Sequence, residues 1–400
     1  MALELQVMDT AGAASSAPAA PKATPLNLLA YVHLRNIHGS TGAGRVARQV
    51  VEHLGRRDGV NLRILADAAD KDRIVPLVRE PWSGYRYHTF AKDTSRQQAE
   101  WVVLNRPAAE EFWPQADVVF CTGESFVPVK RARLVVTAHD AGYFDDGAHR
   151  RDARYWKQRL KWALLFRKLS RHVDMFHTVS RFSAERLAHA FPEIASRIRW
   201  VHNGVTPHFF APPSAPGLSF LANHGLNGRP YILVPGGLHF RKNAELILAA
   251  SRVLLQRLPD LVIAVVNHSD PSYLPQTAAL GPNFKLLGFV SDEALHALYS
   301  FALLVWYPSR YEGFGLPVVE AMACGAPVVA SNSSSIPEIA GDAAILVDPS
   351  QPAFHVDAIE SLMTDARART QLGDAGRLRA AQFTWPGTAE KLQRLFSALV

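Results

Sequence analysis

Apolar positions in this chain fall into short runs of strand length separated by longer stretches of helical or irregular pattern, and the whole alternation occurs twice. Residues 28–34 read as a first buried strand. A glycine-bearing loop follows, His38-Gly39-Ser40-Thr41-Gly42-Ala43-Gly44, and then a helix-like stretch over 45–54. Short apolar strands are predicted over 61–66, 117–122 and 134–139, a basic helix over 152–172, and two last strands over 174–180 and 198–202. The Pro-rich stretch 207–216 breaks the pattern, which then restarts. A strand over 231–234 runs into a Gly236-Gly237 turn and a helix over 243–258. Strands over 261–266, 284–287 and 303–307 follow, with a helix from Asp292 between the last two. Strands that alternate with helices predict parallel sheets, so the fold class is α/β with two Rossmann-like, doubly wound domains facing a central cleft. The domain bounds are 26–206 and 229–384, joined by a linker over 207–228, with a disordered leader over 1–25. At the end, Leu392, Leu395, Phe396 and Leu399 form one apolar stripe of a final helix over 385–400, which must pack on one of the two halves.

Composition narrows the class. With 400 residues, 48% of them hydrophobic and 20% charged, the chain is long enough for two cores, and it fits neither a disordered nor a disulfide-stapled protein. The formal charge of +7 favours anionic partners, whether phosphorylated small molecules, lipid headgroups or nucleic acid. Cys121 and Cys324 sit among apolar or small residues and read as reduced thiols. The first 25 residues carry Glu4 and Asp9 and lack the apolar segment of a signal peptide, and no apolar run approaches the roughly 20 residues of a membrane span. A cytoplasmic protein is expected.

In parallel α/β sheets the loops after the strands carry the chemistry. Gly42-Ala43-Gly44-Arg45-Val46-Ala47 matches a dinucleotide fingerprint with Asp67 about twenty positions on. The distance from the predicted strand to Gly42 is too long for a nicotinamide fold, but a loop ending at a helix N-terminus suits an anion or an acceptor sugar. Gly236-Gly237-Leu238-His239-Phe240-Arg241-Lys242-Asn243 places adjacent cations behind two glycines at a helix start, a compact diphosphate site. Arg310 to Pro317 runs into Val318-Val319-Glu320, where a carboxylate in an apolar helix needs a partner such as a pair of ribose hydroxyls. His139 ends a strand at the same predicted edge, where it can donate to a sugar oxygen. No zinc spacing, Walker loop or nucleophile elbow occurs. The one D-x-D, Asp70-Lys71-Asp72, lies in a polar stretch, so no metal site is expected. No nucleic-acid-binding module is recognisable.

Glu312 and Glu320 are separated by seven residues that include Gly313-Phe314-Gly315-Leu316-Pro317. Together with Gly237 to Asn243, Asn203-Gly204-Val205 and Thr178-Val179-Ser180, this E-x7-E element resembles glycosyltransferase family 4, of GT-B fold, over about residue 26 to the C-terminus. The resemblance implies a retaining hexosyltransferase that uses a nucleotide-sugar donor, with no cofactor and no obligatory metal. It implies that Arg241 and Lys242 hold the donor diphosphate and Glu320 the ribose. Glu312 would lie by the donor sugar, with backbone N–H groups of Gly313, Phe314, Gly315 and Leu316 on its hydroxyls and phosphate. His139 would sit against the donor sugar, and Gly42 and Gly237 in the loops near phosphate and acceptor. The 26–206 half would bind the acceptor, the 229–384 half the nucleotide sugar, and the final helix would cross back to the N-terminal domain.

The sequence looks most like bacterial mannosyltransferases of surface polysaccharide assembly, including lipopolysaccharide, which makes GDP-mannose the first donor and a saccharide or lipid-linked saccharide the acceptor. A UDP- or dTDP-sugar donor, a catalytically silent nucleotide-sugar-binding relative and a nucleotide-sugar epimerase are the alternatives. Asn243 stands where many relatives have Gly. The 152–172 helix carries Arg154, Lys157, Lys161, Lys168 and Arg171 on one side and Trp156, Leu160, Trp162, Leu165, Phe166 and Leu169 over most of the rest. It is read either as a core helix with a solvated basic face or as a peripheral contact with the inner face of the membrane. The sequence leaves the oligomeric state open.

Overall fold

A computed structural model describes residues 24–38, 41–78, 80–145 and 147–400; all but the last two residues of the expected leader lie outside the described residues. The first half forms a parallel sheet of β1 (Leu26–Tyr31), β2 (Val60–Asp67), β3 (Arg86–Phe90), β4 (Val118–Cys121), β5 (Arg133–Ala138), β6 (Met175–Thr178) and β7 (Ile198–Trp200), in the order β3-β2-β1-β4-β5-β6-β7. The second half forms a parallel sheet of β8 (Tyr231–Pro235), β9 (Val262–Val266), β10 (Phe284–Gly288), β11 (Leu304–Tyr307), β12 (Val328–Ser331) and β13 (Ile345–Val347), in the order β10-β9-β8-β11-β12-β13. This is the GT-B architecture of two doubly wound α/β domains.

The sheets read as near-continuous apolar runs because helices cover both faces. Leu29 and Tyr31 of β1 enter one core cluster, while Leu28 and Ala30 enter the other. β8 does the same, with Tyr231 and Leu233 on one side and Ile232 and Val234 on the other. In each half the strand order reverses beside the first strand, between β1 and β4 and between β8 and β11. The loops after these four strands therefore open onto ligand-binding crevices.

Several bounds differ from the sequence reading for identifiable reasons. β1 stops at Tyr31, and Leu34–His38 forms a short helix in place of strand continuation. The next helix, Gly42–Gly55, starts three residues earlier than its apolar pattern suggests, because the Thr41 side chain caps it by accepting the Gly44 N–H at 3.1 Å. Gly42 and Gly44 thus lie in its first turn and not in a loop. β3, with the sequence Arg-Tyr-His-Thr-Phe, has little apolar signal because it is an edge strand. Residues 207–228 contain a 3-10 turn, Pro207–Phe210, and a helix, Ala215–Asn223, whose Phe209 and Leu221 enter the second-half core.

The last helix, Trp385–Ser397, leaves the second half and buries Trp385, Ala389, Leu392 and Phe396 among Leu28, Val51 and Leu54 of the first. Phe396 packs on Phe120 with ring centroids 5.1 Å apart, and Arg57 donates to Gln393 at 2.8 Å. No described helix is long and apolar enough to cross a membrane.

Candidate active site at the interdomain cleft

After β8 the chain turns through Gly236 and Gly237, both with positive φ. A Cβ at Gly237 would come to 1.9 Å from the His268 carbonyl oxygen, so only glycine permits the approach. Asn243 then caps the helix Ala244–Arg257 from the left-handed region at φ 65°. Asparagine tolerates that conformation, and its buried side-chain amide donates to Pro308 O at 3.1 Å and Pro349 O at 2.7 Å, pinning the β8 loop to the loops after β11 and β13. The Asn-for-Gly departure is thereby accommodated.

Between turn and cap stand Arg241 and Lys242. Arg241 donates through Nε to Tyr311 O at 2.9 Å and through Nη2 to Asp140 Oδ2 at 2.8 Å, across the cleft. Burial opposes its charge, but Asp140 and Glu312 outweigh burial and hold the guanidinium firmly protonated. The Lys242 ammonium donates to Tyr307 Oη at 2.5 Å and to Glu312 Oε1 at 2.6 Å. Burial pushes its pKa below the ordinary lysine value in spite of Glu312. Burial would raise the Glu312 carboxyl, yet Lys242 and Arg241 keep it below the usual range.

The loop after β11 carries Glu312 to Leu316 into the helix Leu316–Ala323. A Cβ on Gly313 would meet the His139 carbonyl oxygen at 2.3 Å, and Gly315, at φ 99°, would press on Ile336 at 2.6 Å. Both glycines therefore serve close backbone approach, and Gly313 does so between the domains. The Phe314 side chain is buried against Phe383, which leaves only its backbone for a ligand. Ser180 and Ser183 donate to Gly313 O at 2.5 and 3.0 Å, while Glu338 accepts the N–H groups of Arg181 and Phe182 and lies 2.6 Å from His202 Nε2. These contacts fasten the 313 loop and the helix Ile336–Ala340 to the N-terminal domain.

Glu320 has protein partners of its own. Oε1 lies 2.6 Å from Arg45 Nη2, and Oε2 accepts from Tyr299 Oη at 3.3 Å. Burial raises its pKa, and Arg45 offsets part of that rise. Arg45 belongs to the first turn of the 42–55 helix, so the glycine motif meets the carboxylate of the E-x7-E element. Leu316 joins both residues in lining a small cavity of about 90 Å³. The two motif glycines differ: a Cβ at Gly44 would sit 1.8 Å from Asn36 O, whereas one at Gly42 meets nothing within 4 Å.

His139 follows β5. Its N–H donates to Glu124 Oε1 at 2.7 Å, and its Nε2 lies 3.1 Å from the Thr122 carbonyl, which places the ring proton on Nε2. The cleft thus gathers His139, Arg241, Lys242, Glu312, Gly313 and Glu320. Asp67 is elsewhere, capping the helix Ala68–Ile74, and Asp70 pairs with Arg35 and Arg73. Among the described residues, no group of three or more His, Cys, Asp or Glu is placed to hold a metal. Sequence reasoning did not single out Arg45, Asp140 or Glu124; an arginine directly after the helix-starting glycines was the available signal for the first.

Residues 40–209 match the family described as Glycosyltransferase Family 4, and residues 220–379 match Glycosyl transferases group 1. The folds compare with sucrose-phosphate synthase from Thermosynechococcus elongatus, at TM-score 0.72 and 22% identity over 94% of this chain and 99% of the other. They also compare with Anabaena HepE solved with UDP and glucose, at TM-score 0.71 and 18% identity over 93% and 100%. Fold, motifs and matches together make this chain a glycosyltransferase of the GT-B class.

Within that class the chain belongs to the family described as Glycosyltransferase Family 4 and Glycosyl transferases group 1. It is 30% identical to the O-antigen chain mannosyltransferase B of Escherichia coli over 86% of this chain and 93% of the relative. It is also 28% identical to the GDP-mannose-dependent alpha-(1-6)-phosphatidylinositol monomannoside mannosyltransferase of Mycolicibacterium smegmatis over 63% of this chain and 71% of that one.

Proposed function

We propose that the protein is a retaining mannosyltransferase that moves mannose from GDP-mannose to a saccharide or lipid-linked saccharide acceptor in surface polysaccharide assembly, without an obligatory metal. The observation that carries this reading is the pair Arg241 and Lys242, two partly buried cations behind a double-glycine turn, facing a cleft that also holds the carboxylates Glu312 and Glu320.

The donor diphosphate replaces Asp140 on Arg241 and Glu312 on Lys242. Glu320 takes the ribose hydroxyls, Glu312 and the backbone of Gly313 to Leu316 take the mannose, and His139 lies against the sugar. Gly42 and Gly237 let the chain approach the phosphates. As the bond from sugar C1 to the phosphate oxygen breaks, negative charge grows on the diphosphate and the two preorganised cations stabilise it. The acceptor oxygen bonds to C1 on the same face, and its proton passes to the departing phosphate oxygen.

The experiment is a calorimetric titration of GDP, UDP and dTDP with and without EDTA, repeated on Arg241→Ala and Glu320→Ala. GDP is expected to bind equally with and without EDTA, and each substitution to weaken it by about 1.5–3 kcal/mol. Preferential binding of UDP would move the donor to a UDP-sugar, and absence of any nucleotide binding would overturn the reading.

The lipid-linked acceptor is matched by a peripheral membrane contact through the helix Ala153–His172. Its Trp156, Leu160 and Leu164 are exposed at i, i+4 and i+8, while Tyr155, Phe166 and Leu169 face the core. Seven Lys and Arg and no Asp or Glu lie on it, equal to the whole net charge of the chain. An apolar ridge flanked by cations fits an anionic bilayer surface.

A further inference from the structure

The loop around Gly313 is gripped from both sides of the cleft. On its own half, Ser334 and Ser335 after β12 hold the residues that flank Gly313. Ser334 Oγ accepts the Glu312 N–H at 2.9 Å, and the Ser335 hydroxyl lies 3.1 Å from Glu312 O and 2.9 Å from Phe314 O. On the first half, Ser180 and Ser183 donate to Gly313 O, and Ser180 Oγ also accepts the Ser183 N–H at 3.0 Å as the cap of the helix Arg181–Ala190. The two grips meet at Glu338, in the short helix that directly follows Ser335.

Glu338 completes the start of a helix that belongs to the other half. The N–H groups of Arg181, Phe182 and Ser183 have no partner within their own helix, and Ser180 takes only the third. Glu338 takes the other two, with Oε1 accepting from Arg181 at 2.8 Å and Oε2 from Phe182 at 2.9 Å. His202 Nε2 adds a third contact, 2.6 Å from Oε1. Burial would raise the Glu338 carboxyl, yet His202 and the two N–H groups hold it below the usual range. The charged form is therefore the one that meets the positive end of the helix dipole. Its backbone is tied to the second half, because Arg379 donates to Glu338 O at 2.7 Å and to Ile339 O at 2.9 Å. The donor scheme above gives Glu338 no part.

We propose that Glu338 is a positioning residue for sugar transfer: by holding the start of the 181–190 helix it braces the two grips on Gly313 against each other and fixes the donor loop beside His139. The inference deepens the glycosyltransferase reading and rests on the donor sugar lying at the 313 loop. Glutamine at this position keeps the volume but loses the charge and turns an NH2 group towards one of the two N–H donors, which is left unpaired.

The test uses the full chain as wild type, Glu338→Gln, Ser180→Ala and the double variant, with GDP affinity by calorimetry and GDP release from GDP-mannose as readouts. Each single substitution is expected to lower kcat about tenfold with GDP affinity and the KM for GDP-mannose within about twofold. The double variant is expected to lose less than about thirtyfold, against about a hundredfold for independent effects, because both residues act through one helix start. Interdomain distance is read from spin labels at Val103→Cys and Leu378→Cys, two exposed positions on opposite halves, with Cys121 and Cys324 buried. One distance is expected in the wild type and a second population in Glu338→Gln. The proposal is overturned if Glu338→Gln keeps the wild-type kcat, if its loss falls on GDP affinity, if the two substitutions multiply to the full product, or if the distance is unchanged. A wild type that fails to bind GDP or to release it from GDP-mannose would remove the donor reading instead, while the distance measurement still decides whether Glu338 braces the domains.

Discussion

Gly42 and Gly44 stand two positions apart in one motif yet meet different surroundings. A methyl group at Gly44 lands 1.8 Å from Asn36 O, so Gly44→Ala must part the 34–38 helix from the 42–55 helix. A loss of about 1–3 kcal/mol is expected in urea unfolding. At Gly42 a methyl group meets open space within 4 Å, so Gly42→Ala is expected to keep its urea midpoint, and a drop in its turnover then reports a ligand contact alone. Gly313→Ala puts a methyl group 2.3 Å from His139 O and is expected to reduce GDP-mannose turnover by about a hundredfold as a displaced backbone separates donor loop and His139.

The residues legible in the sequence, Arg241, Lys242, Glu312 and Glu320, are those whose local neighbours announce them: glycines before cations, or a carboxylate in an apolar helix. What could not be read were partners fixed only by the tertiary fold. Asp140 and Arg241 are 101 positions apart. Arg45 finds Glu320 because two separate sheets face each other, and Glu124 after β4 meets the backbone N–H of His139 after β5.

Elements show the same division. The buried strands were legible from their apolar runs, whereas β3 was hidden because an edge strand buries little. The 153–172 helix was ambiguous by pattern, since its core face and its solvent face both carry large apolar residues. The structure separates them: Trp156, Leu160 and Leu164 are 53%, 62% and 58% exposed. Arg154, Lys157, Lys161 and Arg171 flank them in the solvent-facing sector. The protein is expected to co-sediment with phosphatidylglycerol vesicles at low salt and to be released by about 0.5 M salt, since each surface cation contributes about 1 kcal/mol. The double substitution Leu160→Glu and Leu164→Glu should abolish sedimentation and leave GDP affinity intact; binding undiminished by these changes would exclude this face. At the other end of the chain, Phe396→Ala is expected to cost about 3–5 kcal/mol in urea unfolding, because Phe396 is fully buried against the first-half core.

Across the whole molecule, each half contains a buried histidine held neutral. His177 on β6 and His355 on the helix Pro352–Thr364 have pKa values pushed down by burial from 6.5 to about 4. The unfolded chain binds a proton at each where the folded chain does not. Their contribution is therefore present above pH 6.5 and lost as pH falls towards 4, by up to about 3 kcal/mol each. Melting temperature is expected to drop across that window, and His355→Gln to flatten the slope; a slope unchanged by the substitution would assign the acid sensitivity elsewhere.

The empty cleft keeps its charges matched, Arg241 with Asp140, Lys242 with Glu312 and Glu320 with Arg45. In the proposed donor complex the ligand exchanges partners at all three positions. An anion that takes the two cations alone leaves Asp140 and Glu312 without theirs, while Glu320 keeps Arg45. The resting pairs thus act as a lock on the cations, lowering the cleft's affinity for small anions despite its lysine and arginine.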